Sequence, residues 1–181
     1  MKVRAKRDGE KDDEDDESDN AKEGDEKART VELCWTKGAG VVRKDENGQQ
    51  YLEVLSFDPS AVRLDRLNSG RAPLLNSHSQ DALDSVLGVV CSAYVDPAKK
   101  EGRATVKFSR SPGVDGILDD VRDKIISSTS VGCTVHNWED ITQRGDPMPV
   151  HLINDWTPLE LSLVTALADM NSAVRKNKEY K

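Results

Sequence analysis

From Thr30 onward, apolar residues fall at every second position. Val31, Leu33 and Trp35 alternate with polar neighbours, which predicts a strand with one buried face. A kink at Gly38-Ala39-Gly40 leads to a second strand at Val41-Val42. Lys44-Asp45-Glu46-Asn47-Gly48 reads as a hairpin turn, with Asn-Gly as its strongest signal. The chain returns as a strand over Gln50 to Phe57, with Leu52, Val54 and Ser56 on one face. Asp58-Pro59 then predicts a short helix, because Asp is a good N-cap and Pro suits the first turn. Val62, Asp65 and Arg66 belong to that helix, and Gly70 ends it.

Pro73 to Ser79 and Val86 to Cys91 are β-rich, Asp96-Pro97 starts a turn, and Ala104, Val106 and Phe108 alternate in a strand from Arg103. The period then changes. After Ser111-Pro112, a helix start with Ser as cap, Val114, Ile117, Leu118, Val121 and Ile125 lie at i, i+3, i+4, i+7 and i+11. That stripe predicts the best helix in the chain and must pack on a sheet. Ser127 to Val135 is again β-like, a loop carries Gly145, Pro147 and Pro149, and Leu159 to Val164 is the last apolar strand. From Ala166 the pattern is helical and runs into a charged end. Many short strands with one or two helices, without βαβ alternation or internal repeats, predict a mainly β single domain: a barrel or sandwich with flanking helices.

Charge changes the picture at the N-terminus. Of the 181 residues, with 26 Lys+Arg and 33 Asp+Glu (net −7), the first 30 hold 8 basic and 12 acidic side chains. Asp8 to Lys27 is nearly devoid of apolar side chains, so residues 1–29 are expected to be a disordered acidic tail. The folded body is expected over 30–175, with 176–181 a charged end. The negative balance speaks against nucleic-acid binding. No apolar run reaches the roughly 20 residues of a membrane-spanning helix, and no apolar stretch follows the N-terminal basic residues as in a signal peptide. Cys34, Cys91 and Cys133 are odd in number and widely spaced, matching neither a disulfide framework nor a zinc site. The expectation is a soluble intracellular chain with reduced thiols.

Candidate chemistry narrows by elimination. His78, His136 and His151 lack metal-ligand spacing, and phosphate-binding glycine loops and a Gly-x-Ser-x-Gly elbow are absent. Serine nucleophile chemistry remains, with Ser127-Ser128-Thr129-Ser130 the one hydroxyl cluster. A serine hydroxyl needs a neutral imidazole within about 3 Å to take its proton, and a third group to fix the imidazole tautomer. Taken alone, His78 reads as a turn or surface histidine and Ser130 as a structural serine.

Three segments in order alter that reading. Leu74-Leu75-Asn76-Ser77-His78 followed by Leu87-Gly88-Val89-Val90, then Ser130-Val131-Gly132-Cys133, then Trp156-Thr157-Pro158-Leu159-Glu160-Leu161-Ser162-Leu163-Val164 resemble the histidine, nucleophile and closing-strand motifs of tailed-phage prohead serine proteases. The likeness runs from about Thr30 to Arg175, with Cys133 where the family has an aromatic residue. The same order resembles the herpesvirus assemblins, whose fold is a β-barrel ringed by helices and whose third catalytic group is a histidine in the place of Glu160. The resemblance implies an assemblin-like barrel and a catalytic set of His78 as base then acid, Ser130 as nucleophile and Glu160 as orienting carboxylate. Ser128 is the alternative nucleophile; His136, His151, Asp140 and Asp169 are alternatives for the third member, as is a bare Ser–His dyad.

The implied function is a capsid maturation endopeptidase needing no metal or cofactor. It would act inside the phage procapsid in the host cytoplasm, on the major capsid protein, the scaffold protein and itself. No nucleic-acid or membrane partner is expected, and a homodimer is among the states the resemblance allows. Glu53-Val54-Leu55-Ser56 and Arg63-Leu64-Asp65-Arg66-Leu67 resemble the subset fused to a capsid protein, which would make this chain part of a longer precursor. The rival readings are a non-enzymatic assembly or scaffolding protein of the same fold, and an esterase or amidase acting on a small molecule.

Overall fold

The computed structural model describes residues 28–165. The expected acidic tail before Ala28 and everything expected from Ala166 onward, including Asp169 as a candidate, lie outside the described residues. Alternation builds the first layer. In β6 (Glu101–Phe108) every second residue is buried, from Gly102 through Ala104 and Val106 to Phe108. On one side β6 pairs antiparallel with β1 (Thr30–Thr36), Val31 opposite Val106 and Leu33 opposite Ala104. On its other side lies β5 (Val86–Asp96), which pairs in turn with β4 (Pro73–Asn76).

The hub is β8 (Val150–Leu163), which takes strands on both edges. One edge is followed along its length by antiparallel β7 (Thr129–Asp140). The other is divided: its first part pairs in parallel with β3 (Gln50–Leu55), its last part in parallel with β4. The predicted hairpin joins β3 to β2 (Val41–Lys44), with Asp45 Oδ1 accepting the Asn47 and Gln49 N–H groups and Gly48 at φ 78°.

This is one mainly β sheet, and it is not closed into the expected barrel. β7 returns to β1 where the Thr129 hydroxyl donates to the Cys34 carbonyl at 2.7 Å, but no ladder joins the two strands among the described residues. At the same place the pairing of β1 with β6 shifts register, between Cys34 and Thr36.

The helix predicted after Asp58 does not form. Asp58 Oδ1 accepts the Ser60 N–H at 2.8 Å, yet it starts only a turn. The backbone beyond is drawn onto β8 in the gap between β3 and β4. Trp156 N–H donates to the Ala61 carbonyl and Arg63 N–H to the Trp156 carbonyl, both at 2.9 Å. An unfilled sheet edge offers hydrogen bonds that outweigh the local helix signal. A 3-10 turn over Leu67–Ser69 does end at left-handed Gly70.

The helix α1 (Val114–Arg122) buries Val114, Leu118 and Val121 against the sheet, but it is shorter than predicted. Its N-cap position is Gly113 at φ 88°, so Ser111 supplies only a carbonyl to the Val114 N–H. Lys124 turns the chain at φ 62° and leaves Ile125 70% exposed, outside the stripe.

The closing strand is longer than the predicted Leu159–Val164 and holds the feature that sets the site. Trp156, Leu161 and Leu163 all enter the core, where Trp156 packs edge-on against Trp35 with ring centroids 6.0 Å apart. An odd separation from Trp156 to Leu161 would put them on opposite faces of a regular strand. A bulge resolves this: Cys133 faces Pro158 and Gly132 faces Glu160, leaving Leu159 as the extra residue. Pro158, which has no N–H to donate, falls between the Val62–Trp156 bridge and the β4 ladder. Beyond the bulge, Leu161 and Leu163 point into the core and Glu160 and Ser162 to the other face.

Candidate active site

The turn after β4 makes the first half of the site. Ser77 and His78 adopt φ 52° and 60°, two successive left-handed residues without glycine. Such backbone costs about 1–2 kcal/mol per residue and persists because its N–H groups are held. Ser77 N–H donates to the Leu163 carbonyl at 2.9 Å, and His78 N–H to Ser162 Oγ at 3.1 Å. The turn thus folds back over the outer face of β8. It brings His78 Nδ1 to 2.6 Å from Glu160 Oε1, across 82 residues of sequence. The imidazole remains 41% exposed while the Glu160 side chain is 4% exposed.

The carboxylate is satisfied at both oxygens, as burial demands. Oε1 faces His78, and Oε2 accepts the Ser162 hydroxyl at 2.7 Å. Gly132 lies opposite Glu160 on β7, and a Cβ there would fall 2.3 Å from Oε1. The carboxylate therefore occupies the space a side chain at 132 would need. Ser-Val-Gly acquires a physical reading: the glycine clears a seat for the acid.

Ser130 stands two residues from Gly132, on the same face of β7 and directly opposite Ser162. Opposed residues in antiparallel strands have Cβ atoms about 4.5–5.5 Å apart. Along β7, two residues advance about 7 Å, close to the span of an imidazole with a hydrogen bond at each end. Ser130 therefore stands on the face that carries Glu160 and Ser162, one pair of ladder positions along from Gly132. Ser130 is half-buried, and its hydroxyl makes no hydrogen bond among the described residues, to His78 or to any other.

The alternatives stand elsewhere. Ser128 precedes β7, its carbonyl held by Val164 N–H at 3.1 Å. His136 bonds Thr157 through Nε2 at 2.8 Å. His151 is stacked between Tyr51 and Trp138, centroids 4.4 and 4.0 Å away. Asp140 caps the Thr142 turn, and that bond to the Thr142 hydroxyl holds its carboxyl below the usual range. None of these adjoins His78 in a hydrogen bond. Burial pushes the Cys133 thiol up, with the Glu53 carboxylate adding to it, so this neighbour of the bulge is a poor nucleophile.

Two clefts flank the His78 turn. One, of about 520 Å³, is lined by Leu75, Leu83, Val86, Leu159, Arg66 and Glu160. The other, of about 310 Å³, is lined by Leu87, Ile117, Ile126, Ser128, Leu163 and the Asn76-Ser77 backbone turn. Both have mixed linings, with Ser79, Gln80 and Asp81 in the first and Asn76, Ser127 and Thr165 in the second beside the aliphatic side chains.

Ser162, fully buried and bonded to both His78 and Glu160, is the member of this cluster that sequence reasoning assigned no part. Its signal was present in the odd Trp156-to-Leu161 spacing, which demands a bulge and so turns Glu160 and Ser162 together. Comparison of the chain with protein-family models, with curated proteins and with solved structures gives no match.

Proposed function

We propose that the protein is a serine endopeptidase of the capsid-maturation type, acting through Ser130, His78 and Glu160. The observation that carries this reading is the buried Glu160 carboxylate at 2.6 Å from Nδ1 of a half-exposed histidine, with Ser130 in register beside it. A carboxylate on Nδ1 fixes the proton there and leaves Nε2 as a base. Nε2 takes the Ser130 proton as Oγ bonds to the scissile carbonyl carbon. The imidazolium, balanced by Glu160, then passes that proton to the leaving amine as the C–N bond breaks. Water repeats the sequence and frees the acyl group. The nucleophile–base bond in unliganded hydrolases is often long and tightens around substrate.

The two open clefts of mixed polarity on either side of the His78 turn offer room for an extended chain, which favours a peptide substrate over a small ester. By resemblance, the fold is a relative of the assemblin barrel, and the substrates are capsid protein, scaffold protein and the enzyme itself inside the procapsid.

Intact-mass spectrometry after fluorophosphonate treatment tests the reading on wild type, Ser130→Ala and Ser128→Ala. A single adduct on wild type and Ser128→Ala, absent from Ser130→Ala, is the expected result. Labelling lost only in Ser128→Ala moves the nucleophile by two residues. An unlabelled wild type that also leaves coexpressed capsid protein uncut removes the hydrolase reading.

A further inference from the structure

We infer that Ser162 is a positioning residue that locks the histidine and the carboxylate into one geometry, a role that rests on the hydrolase reading above. Its side chain is 0% exposed. A hydroxyl has one proton to give and lone pairs to receive, and Ser162 uses both on the site. It donates to Glu160 Oε2 at 2.7 Å and accepts the His78 backbone N–H at 3.1 Å.

The first bond fixes the plane of the carboxylate. With Oε2 held, Oε1 is presented to Nδ1 from a single direction, over the space left by Gly132. The second bond secures the left-handed backbone that carries the imidazole, at a φ of 60° that His78 would otherwise leave. Ser162 is also the middle residue of a row across three strands, with Leu75 of β4 on one side and Ser130 of β7 on the other. The base and the orienting carboxylate are therefore both tied to one buried hydroxyl, and Ser130 faces the same residue across the ladder.

Removing that hydroxyl leaves a buried carboxylate oxygen and a backbone N–H without their partner, while the sheet around them is unchanged. Misplacement of a catalytic group by about 1 Å costs on the order of 10²-fold in rate. Ser162→Ala is therefore expected to slow fluorophosphonate modification of Ser130 about 100-fold, with the thermal unfolding cooperative as in wild type. Ser162→Thr, which keeps the hydroxyl, recovers most of that loss. Because one of its two bonds acts through Glu160, the double variant Ser162→Ala/Glu160→Gln loses clearly less than the product of the two single losses.

A second readout needs no catalysis. In nitrogen-edited proton spectra, the His78 Nδ1–H of wild type gives a downfield, slowly exchanging resonance, which is lost or shifted in Ser162→Ala and retained in Ser162→Thr. Wild-type reactivity in Ser162→Ala, multiplying losses in the double variant, or an unmoved Nδ1–H resonance each overturns the inference. If wild type is neither labelled nor able to cut coexpressed capsid protein, the hydrolase reading falls by that result, and the resonance alone decides whether Ser162 positions His78.

Discussion

The two ends of β8 each hold an imidazole, and they treat it differently. At the Val150 end, His151 is packed flat between Tyr51 and Trp138, with no ring hydrogen bond among the described residues. At the Leu163 end, His78 stands on edge, one nitrogen on a buried carboxylate and the ring 41% exposed. The first arrangement uses the faces of the ring and contributes packing. The second uses the edge of the ring, with Nδ1 set 2.6 Å from Glu160 Oε1. Under the proposed hydrolase reading an imidazole serves as a base through its edge partners, and the edge partner here is what the Leu159 bulge and the 77–78 turn supply.

The sharpest way to break the contrast is Glu160→Gln, which keeps shape but changes what Nδ1 is offered. Loss of the orienting carboxylate costs about 10⁴-fold in kcat by precedent, so the Ser130 labelling rate should fall by that order with the thermal midpoint little changed. Retained reactivity would demote Glu160 to a structural acid.

Gly132→Ala comes next. Its Cβ would need the place now held by Oε1, 2.3 Å away, and Glu160 is tethered at both oxygens. Overpacking of this kind costs about 1–3 kcal/mol, to be read from urea unfolding, together with slower labelling. A variant as stable and reactive as wild type would show that the seat is roomier than the geometry implies.

At the other end, His151→Ala removes a stacked ring. Aromatic contacts contribute about 0.5–1.5 kcal/mol beyond burial, so stability should drop by about that much while labelling of Ser130 stays at the wild-type rate. A matching loss of labelling would mean that the two ends are coupled through β8.

The smallest effect lies between them. Arg63 grips Asp155 at 2.7 and 2.5 Å, and that hydrogen bond holds the Asp155 carboxyl below its ordinary value. Because the folded value is the lower one, the stabilisation is present above the unfolded aspartate value of about 3.9. It fades as pH falls through the folded value. The difference in thermal midpoint between wild type and Arg63→Ala should be small at neutral pH, shrink below about pH 4, and be reduced by salt.

Local periodicity made much of the sheet legible. Alternation located β1 and β6, and Asn-Gly located the hairpin, because each signal is satisfied by neighbours in sequence. The failures have the opposite character. Asp58-Pro59 carries a genuine start signal, but the vacant edge of β8 that captures Ala61 to Arg63 is invisible without the fold. Ile125 continues the helical spacing only until Lys124 turns the chain. Whether β1 and β7 pair to close the sheet is a long-range matter that no local pattern encodes. At the site, motif order pointed to His78, Ser130 and Glu160, but no spacing shows that Nδ1 meets Oε1. Ser162 was hidden for a related reason: one of its partners is a backbone N–H 84 residues away.

The extra residue at Leu159 has a consequence for how this chain tolerates change. Everything after it in β8 is read in a shifted frame, so one codon decides which side chains form the hydrophobic interior and which form the cluster outside. Deleting that codon would leave His78, Ser130, Glu160 and Ser162 all present in the chain. It would nevertheless exchange the two sets, sending Glu160 and Ser162 inward and Leu161 and Leu163 outward. In this strand a gap of one residue is a heavier lesion than most substitutions, and alignments of any relatives should be anchored there first.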